Sequence, residues 1–598
     1  MEATTVTQST GSKTIADLLP RAAEKYASQP AVRYQRDGEW HDVAYAEVRE
    51  IVSEIGRGLI AAGIQAGERV CILANTRPEW TYCDFAISAA GATVVPIYQT
   101  NSPDECEWVA GNSEAVAVIC EDAAQLDKIF EVRERLPHLR TLVVMDPEGE
   151  TADAIPLEEL RRRGRGVDPA QLEERWSAVT PDDPFTFIYT SGTTGPPKGC
   201  VLTHGNYRSV LDMCEGIDVL ESGEITYLYL PLAHSYALLI QLLSFDLGST
   251  LAYFGGDPKQ IVPELAQVKP TYLPSVPRIF EKIYTLAEPN IKKEMGEEKF
   301  REMVALGVKV RDLQARGQEV PPELREPFEQ LDEQVFKNVR AIFGGRVRQA
   351  VTGAAPIAKE ILEFFYACGV PVLEGYGMTE TATVATYSTI EDHKFGTVGR
   401  PLPGVECKIA DDGELLIKGA NIFSGYHKDA EKSFGAIEGG WLHTGDLATI
   451  DDEGYVTITG RKKDIIITAG GKNITPALIE NDLKQSRWIS QAVMHGDRRP
   501  YPVVLITLDP DEADALAQHA GTEPADMATM CRDPKVQAVI ANVVDEVNSR
   551  YAQVERVKKF AILDHDLSQE TGELTPTLKV KRNVVNEKYA EIFDALYS

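Results

Sequence analysis

Residues 186–204 read TFIYTSGTTGPPKGCVLTH. An apolar run from Phe185 to Tyr189 feeds a loop holding Thr190, Ser191, Thr193 and Thr194, the glycines Gly192, Gly195 and Gly199, and Lys198. Glycines let backbone N–H groups turn toward one anion with no Cβ in the way. The hydroxyls add donors and the ammonium adds charge. The chemistry on offer is the cradling of a phosphate, since a plain polar turn needs far fewer such groups in so short a span. The loop is not the G-x-x-x-x-G-K-[ST] pattern. Pro197 stands where its second glycine would fall, and Gly199 follows Lys198. Other positive groups cluster at Arg461-Lys462-Lys463, at Lys472, and at Lys579 with Lys581-Arg582.

These residues need a scaffold. The pattern predicts helix 44–62, strand 69–74, helix 80–89 and strand 93–98, then strands 115–120 and 139–145. Strand 250–254, helix 260–268 and strand 271–274 continue it. Such alternation predicts an α/β domain with a largely parallel sheet. The densely charged stretch 291–340 reads as a solvated helical hairpin. Strand 347–351 follows, then a helix beginning at Pro356 and capped by Gly369, then strand 371–373 leading into EGYGMTE. From Gly399 short β segments (406–409, 414–418, 447–450, 455–459) predict a small β unit. After Gly460 the chain turns α+β.

The 598 residues exceed one core and predict two to four domains. The formal net charge of −30 excludes a nucleic-acid surface. Any anionic ligand must therefore be met by local positive charge. Nine cysteines, without a C-x-x-C pair, form neither a disulfide framework nor a zinc pattern. They read as reduced thiols of a cytoplasmic protein. The N-terminal MEATTVTQSTGSK lacks the apolar core of a signal peptide. The most apolar stretch, 228–254, carries His234, Gln241 and Asp246, so it reads as a buried helix and strand; no transmembrane segment is expected, and peripheral membrane contact stays open.

Five segments stand in one order: YTSGTTGPPKG (189–199), GYGMTE (375–380), WLHTGD (441–446), GRKKDIIITAGGKNITPALIE (460–480) and TPTLKVKR (575–582). In this order they resemble the adenylate-forming superfamily of acyl- and aryl-CoA synthetases, luciferases and peptide-synthetase adenylation domains, across nearly the whole chain. The resemblance implies an α/β fold: a large N-terminal domain of layered α/β sheets with a β subdomain (residues 1–459), a hinge (460–464) and a smaller, mobile α+β C-terminal domain (465–598). It implies ATP, Mg²⁺ and coenzyme A. A carboxylate attacks the α-phosphate of ATP, pyrophosphate leaves, and a thiol then takes the acyl group from AMP.

The resemblance also implies roles. Lys579 matches the lysine of the first step, with T-L-K here in place of the common S-G-K. Glu380, with Thr190, would hold Mg²⁺, and Thr379 would bond the α-phosphate. Gly353-Ala354-Ala355 and Glu374-Gly375-Tyr376, continued by Gly377, look like two walls of an adenine slot. Asp446 and Arg461 would hold the ribose. Thr190, Ser191, Gly192, Thr193, Thr194, Gly195 and Lys198 would cradle phosphates. His234, in LPLAHSYALL, resembles the histidine beside the acyl carboxylate. Lys463 falls at the hinge position, and Gly470, Gly471 and Lys472 at the passage for coenzyme A.

The chain ends soon after Lys579, leaving no room for a carrier domain, which favours free coenzyme A as acceptor. For the acid, SVPRIFEKIY (275–284), the charged stretch 291–340 and TPTLK look like the long-chain fatty acyl-CoA synthetase branch. An aryl or medium-chain ligase, and a ligase handing acyl-AMP to a separate carrier protein, remain open alternatives. A nucleotide sensor is disfavoured because Lys198, Glu380, Asp446, Arg461 and Lys579 are all present. A kinase is disfavoured by the missing phosphate-loop pattern.

Overall fold

The structure is a computed structural model describing residues 9–147, 149, 151–190, 196–470, 472–575 and 579–598. Two large sheets carry the N-terminal part. The first has eight strands, in the order Gly425–Tyr426, Lys198–Thr203, Pro184–Thr190, Thr93–Ile97, Arg69–Leu73, Ala117–Cys120, Thr141–Val144 and Ile155–Pro156. From Pro184–Thr190 onward they run parallel. The central strands are unbroken runs of buried Val, Ile, Leu and Cys, as a sheet covered on both faces requires. The second sheet has nine strands and is parallel at its centre, with antiparallel strands at both edges. The expected largely parallel sheet is thus two mixed sheets.

The largest apolar cluster joins both sheets through the helices Tyr45–Ala61, Pro78–Ala89 and Ser235–Leu247. Ser235–Leu247 is buried almost all round, as an apolar helix without a polar face must be. Among the described residues no helix is long and apolar enough to cross a membrane. All nine cysteines are free thiols, and all but Cys407 are buried.

Two expectations need correction. The helix placed at Pro356 spans Lys359–Ala367, because Pro356 and the residues after it stay in a loop; Gly369 does close it, at φ +83°. The charged stretch is no solvated hairpin. Within it the helices Glu297–Ala315, Pro322–Leu331 and Lys337–Ile342, with the π-helical turn Asp332–Phe336, bury Phe300, Phe328, Phe336 and Val339 in one apolar cluster with Phe364 and Phe365. Sparse aromatic anchors outweigh the surrounding charge because each buries a large apolar area.

A five-stranded antiparallel sheet follows, built on Glu406–Ile409, Glu414–Lys418, Ile437–Glu438, Trp441–Ile450 and Val456–Arg461. Beyond a short turn, Lys462–Asp464, the chain builds a sheet of Ile489–His495, Val503–Leu508 and Lys559–Ile562 with apolar clusters of its own.

Candidate active site

The strands on either side of the phosphate-like loop pair with each other. Pro184–Thr190 pairs antiparallel with Lys198–Thr203, with Thr190 opposite Lys198 and Tyr189 opposite Gly199. A helix, His204–Glu215, begins only after the second strand. Ser191, Gly192, Thr193, Thr194 and Gly195 lie outside the described residues. Thr190 and Lys198 mark the two ends of the loop.

The Lys198 ammonium lies 4.8 Å over the Tyr426 ring. The Tyr426 hydroxyl donates to Glu380 Oε1 at 2.8 Å. Burial, and then the Glu380 charge, push this phenol far above its usual range, so it stays an O–H donor. Glu380 and Thr379 open the 3₁₀ turn Thr379–Thr381, and both are buried. The turn is held in an unusual backbone, with Ala382 and Thr383 at positive φ. A Cβ on Gly377 would come within 2.1 Å of the Thr383 carbonyl oxygen, so glycine is required there. Tyr426 was not visible as a site residue in the sequence: it lies far along the chain from Glu380, and only the pairing of Gly425–Tyr426 with Val201 and Cys200 brings it there. Tyr426→Phe should raise the Mg²⁺ concentration needed for half-maximal adenylation on the order of tenfold, the scale of one hydrogen bond to a charged group. An unchanged Mg²⁺ titration would remove Tyr426 from this site.

A second group is built from two sheets. Asp446 and Arg461 face each other across the strands Trp441–Ile450 and Val456–Arg461. Asp446 is 4% exposed. Its Oδ1 accepts from Arg461 Nε at 2.7 Å and its Oδ2 from the Tyr376 hydroxyl at 2.6 Å. A carboxylate offers about four lone-pair directions, so two acceptor positions remain. Tyr376 ends the strand Val372–Tyr376, which also carries Glu374 and Gly375. Gly353 and Ala354 follow the neighbouring strand Gln349–Thr352, and Ala354 sits at φ +67°. Strained residues of this kind gather at functional sites. Ala355, beside it, is exposed. Glu374 keeps some surface, yet the walls close around its carboxyl and push it up to about 8. Near neutral pH the protonated form is therefore the favoured one.

Lys579 comes from the C-terminal part. Its N–H donates to Thr575 Oγ1 at 3.0 Å and its carbonyl accepts from Thr575 N at 2.8 Å. The residue is exposed, but its ammonium stands crowded in the cleft. Burial of the ammonium, and then the Arg461 guanidinium, hold it below the usual lysine range, while Asp446 and Glu380 pull it partly back. Its charge also reaches His234.

His234 is the N-cap of Ser235–Leu247. Its Nδ1 accepts from Tyr236 N at 3.1 Å, so the neutral ring carries its proton on Nε2. Burial first, then Lys579, lowers its pKa to about 4. The structure thus brings Lys198, Glu380, Tyr376, Asp446, Arg461, His234 and Lys579 around one cleft.

Lys463 sits exposed in the turn Lys462–Asp464. Burial, then Lys432, then Lys463 lower the Lys198 ammonium's pKa. Lys462 ties the turn to Glu414 at 3.1 Å and to Asp412. Gly470 and Lys472 lie between Ile466–Ile467 and Asn473–Ile474. The Lys472 ammonium reaches Glu555 at 3.5 Å, inside the C-terminal part. Gly471 lies outside the described residues.

Comparison with known proteins agrees with this arrangement. The profile of AMP-binding enzymes matches residues 19–427, and that of the AMP-binding enzyme C-terminal domain matches 463–598. The chain is 41% identical to a long-chain-fatty-acid–CoA ligase, FadD15, of Mycobacterium bovis, covering 95% of this chain and 94% of the relative. It is 32% identical to the Xenopus laevis long-chain-fatty-acid–CoA ligase ACSBG2, covering 98% of this chain and 84% of that one. Among solved structures, the anthranilate CoA ligase AuaEII in complex with anthranoyl-AMP has the same fold, with a TM-score of 0.74, 20% identity, and 98% of both chains covered. The adenylation domain of a Segniliparus rugosus carboxylic acid reductase has it too, with a TM-score of 0.76, 20% identity, and 98% and 95% covered. The chain belongs to the family of AMP-binding enzymes.

Proposed function

We propose that the protein is a long-chain fatty acid–CoA ligase of the AMP-forming kind. A fatty-acid carboxylate oxygen attacks the α-phosphorus of ATP, and the bond to pyrophosphate breaks. The coenzyme A thiol then attacks the acyl carbonyl, and the bond to AMP breaks. The observation that carries this reading is the ring of polar groups from Lys198 through Glu380, Asp446 and Arg461 to Lys579 around one cleft. The curated relatives' names supply the acid.

In this reading Asp446 accepts from ribose hydroxyls with its two remaining lone-pair positions, while Arg461 and Tyr376 keep it oriented. The protonated Glu374 offers a donor and an acceptor side by side, which matches an adenine edge. Lys579 meets the charge that grows as one anion attacks another. His234, neutral, donates from Nε2 to the acyl carboxylate. Among the described residues no cluster of three or more metal-ligating side chains occurs. Mg²⁺ suits that setting, since it takes one carboxylate and completes its shell with phosphate oxygens and water. Glu380, which leaves Oε2 free of Tyr426, would hold it with Thr190. Bound there, the ion would neutralise phosphate charge. Residues 1–459 act as the nucleotide and acyl domain, 460–464 as the hinge and 465–598 as the moving domain. Gly470, Gly471 and Lys472 line the coenzyme A passage in the second step.

A panel of fatty acids of increasing chain length, assayed with ATP and coenzyme A, tests the reading. AMP, pyrophosphate and thioester should form together, fastest with long chains. ADP as product, or a preference for aryl acids, would overturn it. Glu380→Gln should lose Mg²⁺-dependent turnover and recover part of it at high Mg²⁺. Full activity of this variant at low Mg²⁺ would remove Glu380 as a ligand.

A further inference from the structure

The helix Pro277–Met295 starts in the N-terminal part, directly after the strand Tyr272–Ser275. Its origin is anchored there, since Ser275 Oγ and the Tyr229 hydroxyl share a hydrogen bond of 2.5 Å. Arg278 and Lys282, one helical turn apart, present their cations on the same face. Both reach across to the C-terminal part. Arg278 pairs with Asp509, and Lys282 Nζ lies 2.9 Å from Asp511 Oδ2. The two acceptors are held by their own backbone. Asp509 caps the turn Pro510–Glu512 by accepting from Asp511 N at 3.0 Å, and Asp509 N donates to Trp488 O at 3.0 Å. Between the two cations, Glu281 lies within electrostatic reach of Lys484, also of the C-terminal part. Three charges on one helix thus meet three charges of opposite sign on the other part.

We propose that Arg278 and Lys282 are positioning residues: they grip Asp509 and Asp511 and hold the C-terminal part in the orientation that puts Lys579 in the cleft, and the grip opens before the thioester forms. The inference rests on the two-orientation reading of the hinge. Asp509 is nearly buried, while Arg278, Lys282 and Asp511 are exposed. Exposed pairs are weak and screened by salt. That is the property a releasable contact needs, because a strong one would trap the first step.

Arg278→Glu with Lys282→Glu should lower ATP–pyrophosphate exchange by about 3- to 10-fold, the range two weak pairs can shift an equilibrium. Thioester formation from pre-made acyl-AMP should hold steady or rise. High salt should imitate the variant in the native protein and do little to the variant itself. Lys282→Asp with Asp511→Lys should recover more exchange activity than either change alone. Equal losses in both half-reactions, or no loss in exchange, would overturn the proposal. A short bis-maleimide bridge between Lys282→Cys and Asp511→Cys separates this failure from failure of the hinge reading. The bridged protein should keep exchange and lose thioester formation. If it forms thioester at the unbridged rate, no rotation occurs and both readings fall. If it blocks the thioester while charge reversal changes nothing, rotation stands and the ionic grip is overturned.

Discussion

Lys579→Ala is expected to lower adenylate formation by roughly 10²–10³-fold or more, the scale for removing one preorganised charge from a transition state. Attack of a carboxylate on a phosphate brings two anions together, and the ammonium of Lys579 lies within electrostatic reach of Arg461, Asp446 and Glu380. ATP binding should survive, because Asp446, Tyr376 and Lys198 lie on other elements. Thioester formation from pre-made acyl-AMP should change much less. The pH dependence has a definite sign. The active form is the protonated one, and burial, then the nearby Arg461 charge, lower its pKa, so adenylation should fall on the alkaline side before an ordinary lysine would titrate. Lys579→Arg, which keeps the charge, should move that alkaline limb upward. His234, with its pKa near 4, should add no limb between pH 5 and 8. The measurements are ATP–pyrophosphate exchange and thioester formation, followed separately against pH. An equal loss in both half-reactions of Lys579→Ala would sink the assignment of this residue to the first step alone.

Much of the fold was legible because apolar periodicity is local. The predicted helix 44–62 and strand 69–74 correspond to Tyr45–Ala61 and Arg69–Leu73. Edge pairings were not legible, because nothing in the run Thr386–Tyr387 says that it turns back against Val372–Tyr376. The Asp446–Arg461 pair was open to a sharper reading. The DDEG turn at 451–454 sets a hairpin, and counting outward from it faces the two residues apart from one bulge between Leu447 and Ala448. Tyr426 had no such local cue, since its partner Glu380 is brought close only by the sheet edge. The charged stretch misled because Phe300 stands singly among Glu, Lys and Arg, so composition masked a buried face. The ion pairs from Arg278 and Lys282 to Asp509 and Asp511 are likewise invisible in one dimension.

Lys463→Pro is the sharpest test of the hinge. Pyrophosphate must leave before the thiol can approach, so the phosphate loop's work ends midway. In the structure Lys463 bears on Lys198 while the turn Lys462–Asp464 is tied by Lys462 to Asp412 and Glu414. Proline fixes φ near −65°, a value that a 3₁₀ turn accepts. It should therefore oppose the φ/ψ change that a swing demands at residue 463. Proline also pushes the preceding residue out of helical backbone, so Lys462 should lose part of its grip and adenylation should fall several-fold. Thioester formation from acyl-AMP should fall much further, by roughly 10²-fold, since a misplaced second-step constellation loses the advantage of orientation. Lys463→Ala, which removes the charge and spares the backbone, separates the two effects. It should leave thioester formation far closer to the native rate than proline does. Should Lys463→Pro run both half-reactions at native rates, residues 460–464 are a linker and the second step needs no rotation about them.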